Sequence, residues 1–436
     1  MSAHAASPPI ASRESRRRLR VRAVPRHAGP FVCLLTCLGF MPGLQPAVRA
    51  GTDAADWPMF RGDAALSGVA RTKLPDRLRV RWRFSAGDAF ESTAAIVSDT
   101  VYVGCDDGHL YAIALETGKA RWSYAAVTPS DAESRRSMSD GPASAPAASQ
   151  PARAAVASRT GGAEPNAIRS SPAVFEGMVF FGDDDGVFHA LDARNGRAAW
   201  TFPTGAQIIS SPVPADGRVI FGSYDGFLYC LSPRDGKLIW RYETEDRVHG
   251  TPSVADGRAM VAGCDGRLHV VDVRDGARVA EVPIGSPSGS AAARLGSRAF
   301  IGTFGNQVLG IDCAAETIAW AFEDRERQQP YYASPAVSDH RVFIGGRDKL
   351  LRAFDAGSGE VKWTFRAGGR IDSSPVLCGG RLYFGASDGV LYVLNAADGR
   401  EVQRFEAGDG ISASPAIGRG RIVIGTEGGT LYCLGE

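Results

Sequence analysis

Residues 210–240 read SSPVPADGRVIFGSYDGFLYCLSPRDGKLIW, and the alternation within them of apolar runs and Asp-Gly pairs decides the fold. The apolar runs lie at 212–213, 218–221, 227–231 and around 239–242, and Asp216-Gly217, Asp225-Gly226 and Asp235-Gly236 separate them. Asp-Gly between two apolar runs is a strong hairpin signal, because a two-residue type I′ turn needs positive φ at both central positions. The stretch reads as four antiparallel strands, A to D.

The unit repeats. Trp82 and Trp122 stand 40 residues apart, as do Trp200 and Trp240; Trp320 follows after two such steps and Trp363 after 43 more residues. Ala280 and Gln403 occupy the position where two further copies would carry the Trp. The strand-A signature recurs in step as Ser170-Ser171-Pro172, Ser210-Ser211-Pro212, Gly250-Thr251-Pro252, Ala333-Ser334-Pro335, Ser373-Ser374-Pro375 and Ala413-Ser414-Pro415. Degenerate copies at Ser92-Thr93-Ala94 and Gly289-Ser290-Ala291 bring the number to eight. Four strands per copy at a period near 40 predict an all-β, eight-bladed β-propeller.

The two ends predict how the ring closes. The last copy stops at Glu436 without a strand D, whereas RVRWRF at 79–84 is a strand-D sequence with no A to C before it. Pairing the first strand into the last blade removes two sheet edges at once.

Repetition also accounts for the length. A chain of 436 residues is long for one compact domain, but each blade need contact only its neighbours. The formal net charge of +1 argues against nucleic acid or anionic lipid as partner, and 8 cysteines are too few for a disulfide framework. Buried free thiols are expected for the six cysteines beyond residue 50. Residues 1–50 combine arginines at 16, 17, 18, 20 and 22, an apolar run at 31–41 and small residues before Gly51, which reads as an export signal of Sec or twin-arginine type. The run is too short to span a bilayer, so no transmembrane span is expected. Residues 51–78 form an N-terminal extension whose aromatic part, Asp56 to Asp63, should pack outside the ring or across one mouth. Residues 125–166, rich in Ala, Ser, Pro and Arg, read as a disordered insertion between blades 1 and 2 of the propeller at 79–436.

From strand C to strand D the copies share a plan, Ala190-Leu191-Asp192 with Asn195-Gly196 and Trp200, and Ala353-Phe354-Asp355 with Ser358-Gly359 and Trp363. It resembles the tryptophan-docking repeat of pyrroloquinoline quinone (PQQ) propellers. The resemblance implies that Trp82, Trp122, Trp200, Trp240, Trp320 and Trp363 dock on the turns of adjacent blades. The dehydrogenases of that family carry a neighbouring cysteine pair beside the quinone and a Glu/Asn/Asp calcium site with a catalytic Asp. No Cys-Cys pair or matching acid exists here, so no catalytic or metal residue is assigned, and PQQ with calcium lacks support from site residues. The non-enzymatic branch, including the propeller lipoprotein of the outer-membrane β-barrel assembly machinery, offers its surface to partner proteins. A third group of exported single propellers shares the Trp-Pro-x-Phe-Arg-Gly opening seen at 57–62. The implied reading is a monomeric, periplasmic binding or scaffolding module for envelope or secreted proteins; the alternatives are a quinoprotein dehydrogenase or a small-ligand binder.

In a propeller the residues just before each strand A ring one mouth of the channel. Here they are Glu91, Arg169, Ile209, His249, Ser288, Tyr332, Asp372 and Ser412, a variable position in a repeating frame. Arg169 or Arg370 suits a carboxylate, His249 or Glu91 a proton, Tyr332 a ring, and Asp372 completes the candidate set. A solvated, charge-mixed mouth without a ligand is the alternative. Arg347 and Lys349, where blade 6 breaks the turn rule, should form a charged protrusion for a partner. Asp-rich B–C turns such as 183–186 read as turn chemistry rather than calcium loops. His189 and His269 take a strand-C position held by tyrosines elsewhere and should be packed and inert.

Overall fold

The computed structural model describes residues 53–127, 165–338 and 340–436. The expected export signal and most of the insertion therefore lie outside the described residues. The two ends of the insertion meet: Ala125 closes strand D of blade 1, and Asn166 N donates to Ala126 O at 2.7 Å.

Eight four-stranded antiparallel sheets form the ring, all in the order A-B-C-D. Blade 3 is typical, with strands Val213–Ala215, Arg218–Gly222, Phe227–Leu231 and Leu238–Glu243. Strand B is buried along almost its whole length, because each blade packs both faces against neighbours. Strand D alternates between exposed and covered residues, as an outer strand should. Arg79–Ser85 pairs antiparallel with Thr430–Gly435, Trp82 opposite Cys433, so the last blade is completed from the chain's beginning.

Three Asp-Gly pairs do three different jobs. Only Asp216-Gly217, between A and B, has positive φ at both residues (50° and 71°), the type I′ signature. At the B–C turn Asp225 acts through its carboxylate, accepting from Phe227 N, Tyr229 Oη and, across the blade gap, Gly205 N. At the C–D turn it is Gly236 that matters: a Cβ there would lie 2.6 Å from the Trp200 ring. Reading all three pairs as one hairpin signal therefore overstated their likeness.

Each of the six tryptophans reaches the following blade. Their indole N–H groups donate to Leu115, Ala193, Pro233, Val273, Ala356 and Ala396 carbonyls at 2.7–3.2 Å, and each ring lies against the glycine of that blade's C–D turn. The two blades without a Trp face no such glycine. Ala280 precedes blade 5, whose turn carries Glu316 at φ 58°. Gln403 precedes blade 8, whose C–D turn does not exist because strand D comes from residues 79–85.

The N-terminal extension departs from expectation. It runs inside the ring, along the inner edges of the A strands, rather than outside or across a mouth. The middle residue of each strand A points its N–H at the channel, and an unpaired edge of that kind needs a partner. Trp57 O takes the N–H of Ile96, Pro58 O that of Val174, Ala64 O that of Val254, Ala65 O that of Arg294, Ser67 O that of Val337 and Gly68 O that of Leu377, at 2.6–2.9 Å. In blade 8 the bond falls two residues past the middle of strand A, from Arg419 N to Ala55 O, and blade 3, which the extension leaves out, has Pro214 at the middle position and no N–H to satisfy. Val69–Ala70 then adds to blade 7 as a short parallel fifth strand. Trp57, Met59 and Leu66 are buried in the apolar core this creates.

Candidate functional site

The channel mouth is built on the strand-A signature. The first Ser of the motif is buried between blades: Ser210 Oγ donates to Gly250 O of the next blade and accepts from Gly222 N of its own. The second residue forms a belt around the channel. Thr93 N donates to Ser171 Oγ, Ser171 N to Ser211 Oγ, Ser211 N to Thr251 Oγ1, Ser334 N to Ser374 Oγ and Ser374 N to Ser414 Oγ, at 2.9–3.1 Å. Ala291 interrupts the belt at blade 5, where its N–H still reaches Ser334 Oγ.

The belt and the mouth ring enclose one cavity of about 150 Å³, with Phe60 of the extension among its lining. Seven of the eight mouth positions read from the sequence line it: Glu91, Arg169, Ile209, His249, Tyr332, Asp372 and Ser412. Ser288 does not: with Ala291 in the belt, blade 5 carries its motif one residue later than the sequence suggested, so Gly289 takes the mouth position and lines the cavity, while the Ser288 hydroxyl turns back to Gly302 O. Arg370 sits beside the ring and pairs with Asp372 at 3.2 Å.

A second ring stands next to the first, and the sequence reading missed it. The residue two after the end of each strand B is Asp106, Asp184, Tyr224, Cys264, Phe304, Arg347, Ser387 or Glu427. In every blade its N–H donates to the carbonyl two residues before that blade's mouth residue, as Tyr224 N does to Gln207 O and, with Gly289 as the mouth residue of blade 5, Phe304 N does to Pro287 O. Its signal was the same variability within a repeating frame, hidden by reading the segment only for turn residues.

Side chains of the two rings meet across the blade gaps. Arg169 lies among Asp106, Asp184 and Glu91 at 3.1–3.4 Å. Burial, aided by Glu91, pushes the Asp106 carboxyl up to about 6, against the pull of Arg169. Tyr224 Oη bonds His249 Nδ1, and burial holds that imidazole below its usual range, so it is neutral at pH 7. Phe304 packs on Tyr332 at 4.5 Å, giving blades 3–6 an aromatic arc opposite the charged blades 1, 2 and 7.

Arg347 corrects the expected protrusion. It folds inward, bidentate on Asp372 at 2.8 and 3.0 Å and 3.7 Å above the Tyr332 ring. The planar guanidinium gains more from a carboxylate and a ring face than from water. Lys349 remains exposed, its Nζ on Gly368 O. His189 and His269 are buried, each holding the Asp of its own B–C turn and a Tyr of the preceding blade. Asp183, which leads the run at 183–186, spends its carboxylate on Asp185 N, Val187 N and His189. Among the described residues no group of three His, Cys, Asp or Glu side chains is placed to hold a metal.

The mouth does not fit the quinone of PQQ propellers. Its cavity is half the roughly 300 Å³ at which small-molecule pockets begin, and an aromatic side chain stands in the channel beneath. Its arginines are already engaged by Asp106, Asp184 and Asp372, and Cys264 is the single thiol in the second ring. Wider hollows of about 440 and 710 Å³ open between blades near the A–B turns, but the arginines lining them are spent on Asp99, Asp192, Asp56 and Asp355.

A family model described as outer membrane protein assembly factor BamB matches residues 76–163, 149–309 and 305–435. Among curated proteins, quinohemoprotein alcohol dehydrogenase ADH IIB of Pseudomonas putida is 29% identical over 136 residues, which make up 30% of this chain and 15% of that protein. The solved BamB of Moraxella catarrhalis superposes with a TM-score of 0.64 at 17% identity, covering 83% of this chain and 98% of that one. A europium-containing methanol dehydrogenase gives 0.64 at 14% identity, covering 88% and 98%. At such identities the structural likeness shows the fold alone.

Proposed function

The chain belongs to the PQQ-like repeat β-propeller family, and from that premise we propose that it is an exported, non-catalytic binding module offering its channel mouth to a protein of the cell envelope. One observation carries the reading. The extension fills the channel from within, and what remains at the mouth is a shallow cup, too small for a cofactor and open enough for the tip of a loop. Its rim sets ion pairs on one side against aromatic rings on the other, the composition that protein recognition favours. The basic stretch and apolar run within residues 1–50 support export, and the match to the outer membrane protein assembly factor family model supports an envelope partner.

Photo-cross-linking from Ser412 in intact cells tests this. A discrete cross-linked partner, lost when Arg347 and Asp372 are both replaced by Ala, is the expected result. The same yield from an exposed site on an outer strand, such as Val402, overturns it. The competing reading, a quinone-dependent dehydrogenase, is tested by titrating the protein with PQQ and calcium; saturable binding with dye reduction would replace the proposal.

A further inference from the structure

The cup has more hydrogen-bond donors than its own walls can use. Each belt oxygen already accepts a backbone N–H from the preceding blade, so its hydroxyl hydrogen must find an acceptor elsewhere. Among the described residues no protein acceptor takes a hydrogen bond from the hydroxyls of Ser171, Ser211, Thr251, Ser334, Ser374 and Ser414, all at most 7% exposed and all lining the cavity. Ser412 Oγ, also in the lining, is buried without any partner.

Beneath them lies a second unmatched group. Arg61 follows Phe60, is 1% exposed, and gives Nη2 to the carbonyls of Pro335 and Pro375, the residues directly after Ser334 and Ser374 of the belt. Its Nε and Nη1 have no partner among the described residues. Burial pulls this guanidinium down to about 9, which leaves it charged at neutral pH. Asp63, the carboxylate nearest in sequence, is taken up by Ser67 N and Oγ. A buried cation under a ring of free hydroxyl donors favours an acceptor, and a charged one above all.

We propose that the cup receives a carboxylate carried by the protein partner, an Asp or Glu side chain or a free chain terminus, seated on the belt hydroxyls above Arg61. This rests on the binding role proposed above. About 150 Å³ suits one such group and little more. The carboxylates of the rim face its own arginines, Glu91, Asp106 and Asp184 at Arg169 and Asp372 at Arg347 and Arg370. The gap at Ala291 adjoins the aromatic side of the mouth, where His249 and Phe304 close over Gly289. An aliphatic stem enters there without stranding a polar group.

The test compares two probes on the unaltered protein, an end-blocked Gly-Glu-Gly peptide and its Gly-Gln-Gly twin, by titration calorimetry or chemical-shift perturbation. The acid should bind at least about tenfold more tightly than the amide, the difference of one charge-assisted contact over a neutral one. Acetate should compete with it, and propionamide should not. Ser334→Ala with Ser374→Ala should bring the acid down to the level of the amide, with the far-ultraviolet spectrum unchanged. Equal binding of the two peptides, or no binding of either at about 10 mM, overturns the carboxylate assignment. Because the Ser412 cross-link reads partner binding separately, a lost carboxylate preference with a surviving cross-link discards only this inference.

Discussion

Gln403 grips the backbone of Leu78 with both ends of its amide, Oε1 accepting from Leu78 N at 3.3 Å and Nε2 donating to Leu78 O at 3.2 Å. In six of the other blades this position is a Trp that docks on the next blade's C–D turn. Blade 8 has no such turn, so an indole would find neither a glycine nor a carbonyl, and an amide tied to the entering chain takes its place. Gln403→Ala should lower stability by about 1–3 kcal/mol, two half-buried hydrogen bonds' worth, with Leu78 becoming an early site of limited proteolysis. Gln403→Trp should be no better than Gln403→Ala in urea unfolding.

The docking tryptophans allow a graded test. Trp320→Phe keeps a ring over Gly359 and loses the bond to Ala356 O, at a cost of about 1 kcal/mol. Trp320→Ala opens a cavity between blades 5 and 6 and should cost about 3–5 kcal/mol. Restoring the missing indole with Ala280→Trp should gain nothing, because Glu316 stands where the docking glycine would be. A rise in melting temperature for Ala280→Trp would show that the turn, not the ring, is dispensable.

Gly68 is where the extension is most exacting. Its φ is +68°, and a Cβ would fall 1.9 Å from Arg61 Nη2. Gly68→Ala must either expel the guanidinium from its carbonyl pair or pull Gly68 O away from Leu377 N. We expect residues 53–70 to become protease-sensitive while the blades keep their far-ultraviolet spectrum. Gly177→Ala, at a φ of +78° with open space around it, is the control that carries backbone strain without the clash.

The ring was legible because every blade writes the same signals at the same spacing, so a blade that lost its Trp could still be counted from its strand-A motif. The path of the extension was not, since its partners are single backbone groups spread over seven blades and no spacing records them. Pro214 was the one written clue: it removes a channel-facing donor in the blade that the extension leaves unpaired. The first mouth ring was legible as a variable position, and the second was not, because Asp106 and Asp184 look like turn residues. Arg347 was misjudged for a related reason. A broken turn reads as exposed charge until its partner Asp372, 25 residues on and in the next blade, is seen beside it.

The thiols should report the same packing. Burial pushes Cys105, Cys230 and Cys433 up to about 12, so they are protonated and shielded in the folded state. Cys264, in the second ring, is the least buried of the six described cysteines. Brief treatment of native protein with iodoacetamide, read by peptide mass spectrometry, should label Cys264 before the other five. Early labelling at Cys433 would mean that Arg79–Ser85 leaves blade 8 readily.

Asp106 gives the mouth a pH signature whose sign follows from its environment. The folded protein raises its pKa from 3.8 to about 6, so across that window the folded state binds the proton more tightly than the unfolded chain does. Its contribution to stability is therefore fully present below pH 3.8 and is lost as the pH rises towards 6. Asp106→Asn keeps the shape, removes the titration, and leaves Arg169 with Asp184 and Glu91. The variant should show a smaller fall in stability between pH 4 and pH 6 than the parent in parallel urea titrations, with the two curves converging at the acidic end. If both proteins lose stability equally over that interval, the slope belongs to other carboxylates, and Asp106 ionises in the folded protein as it does in water.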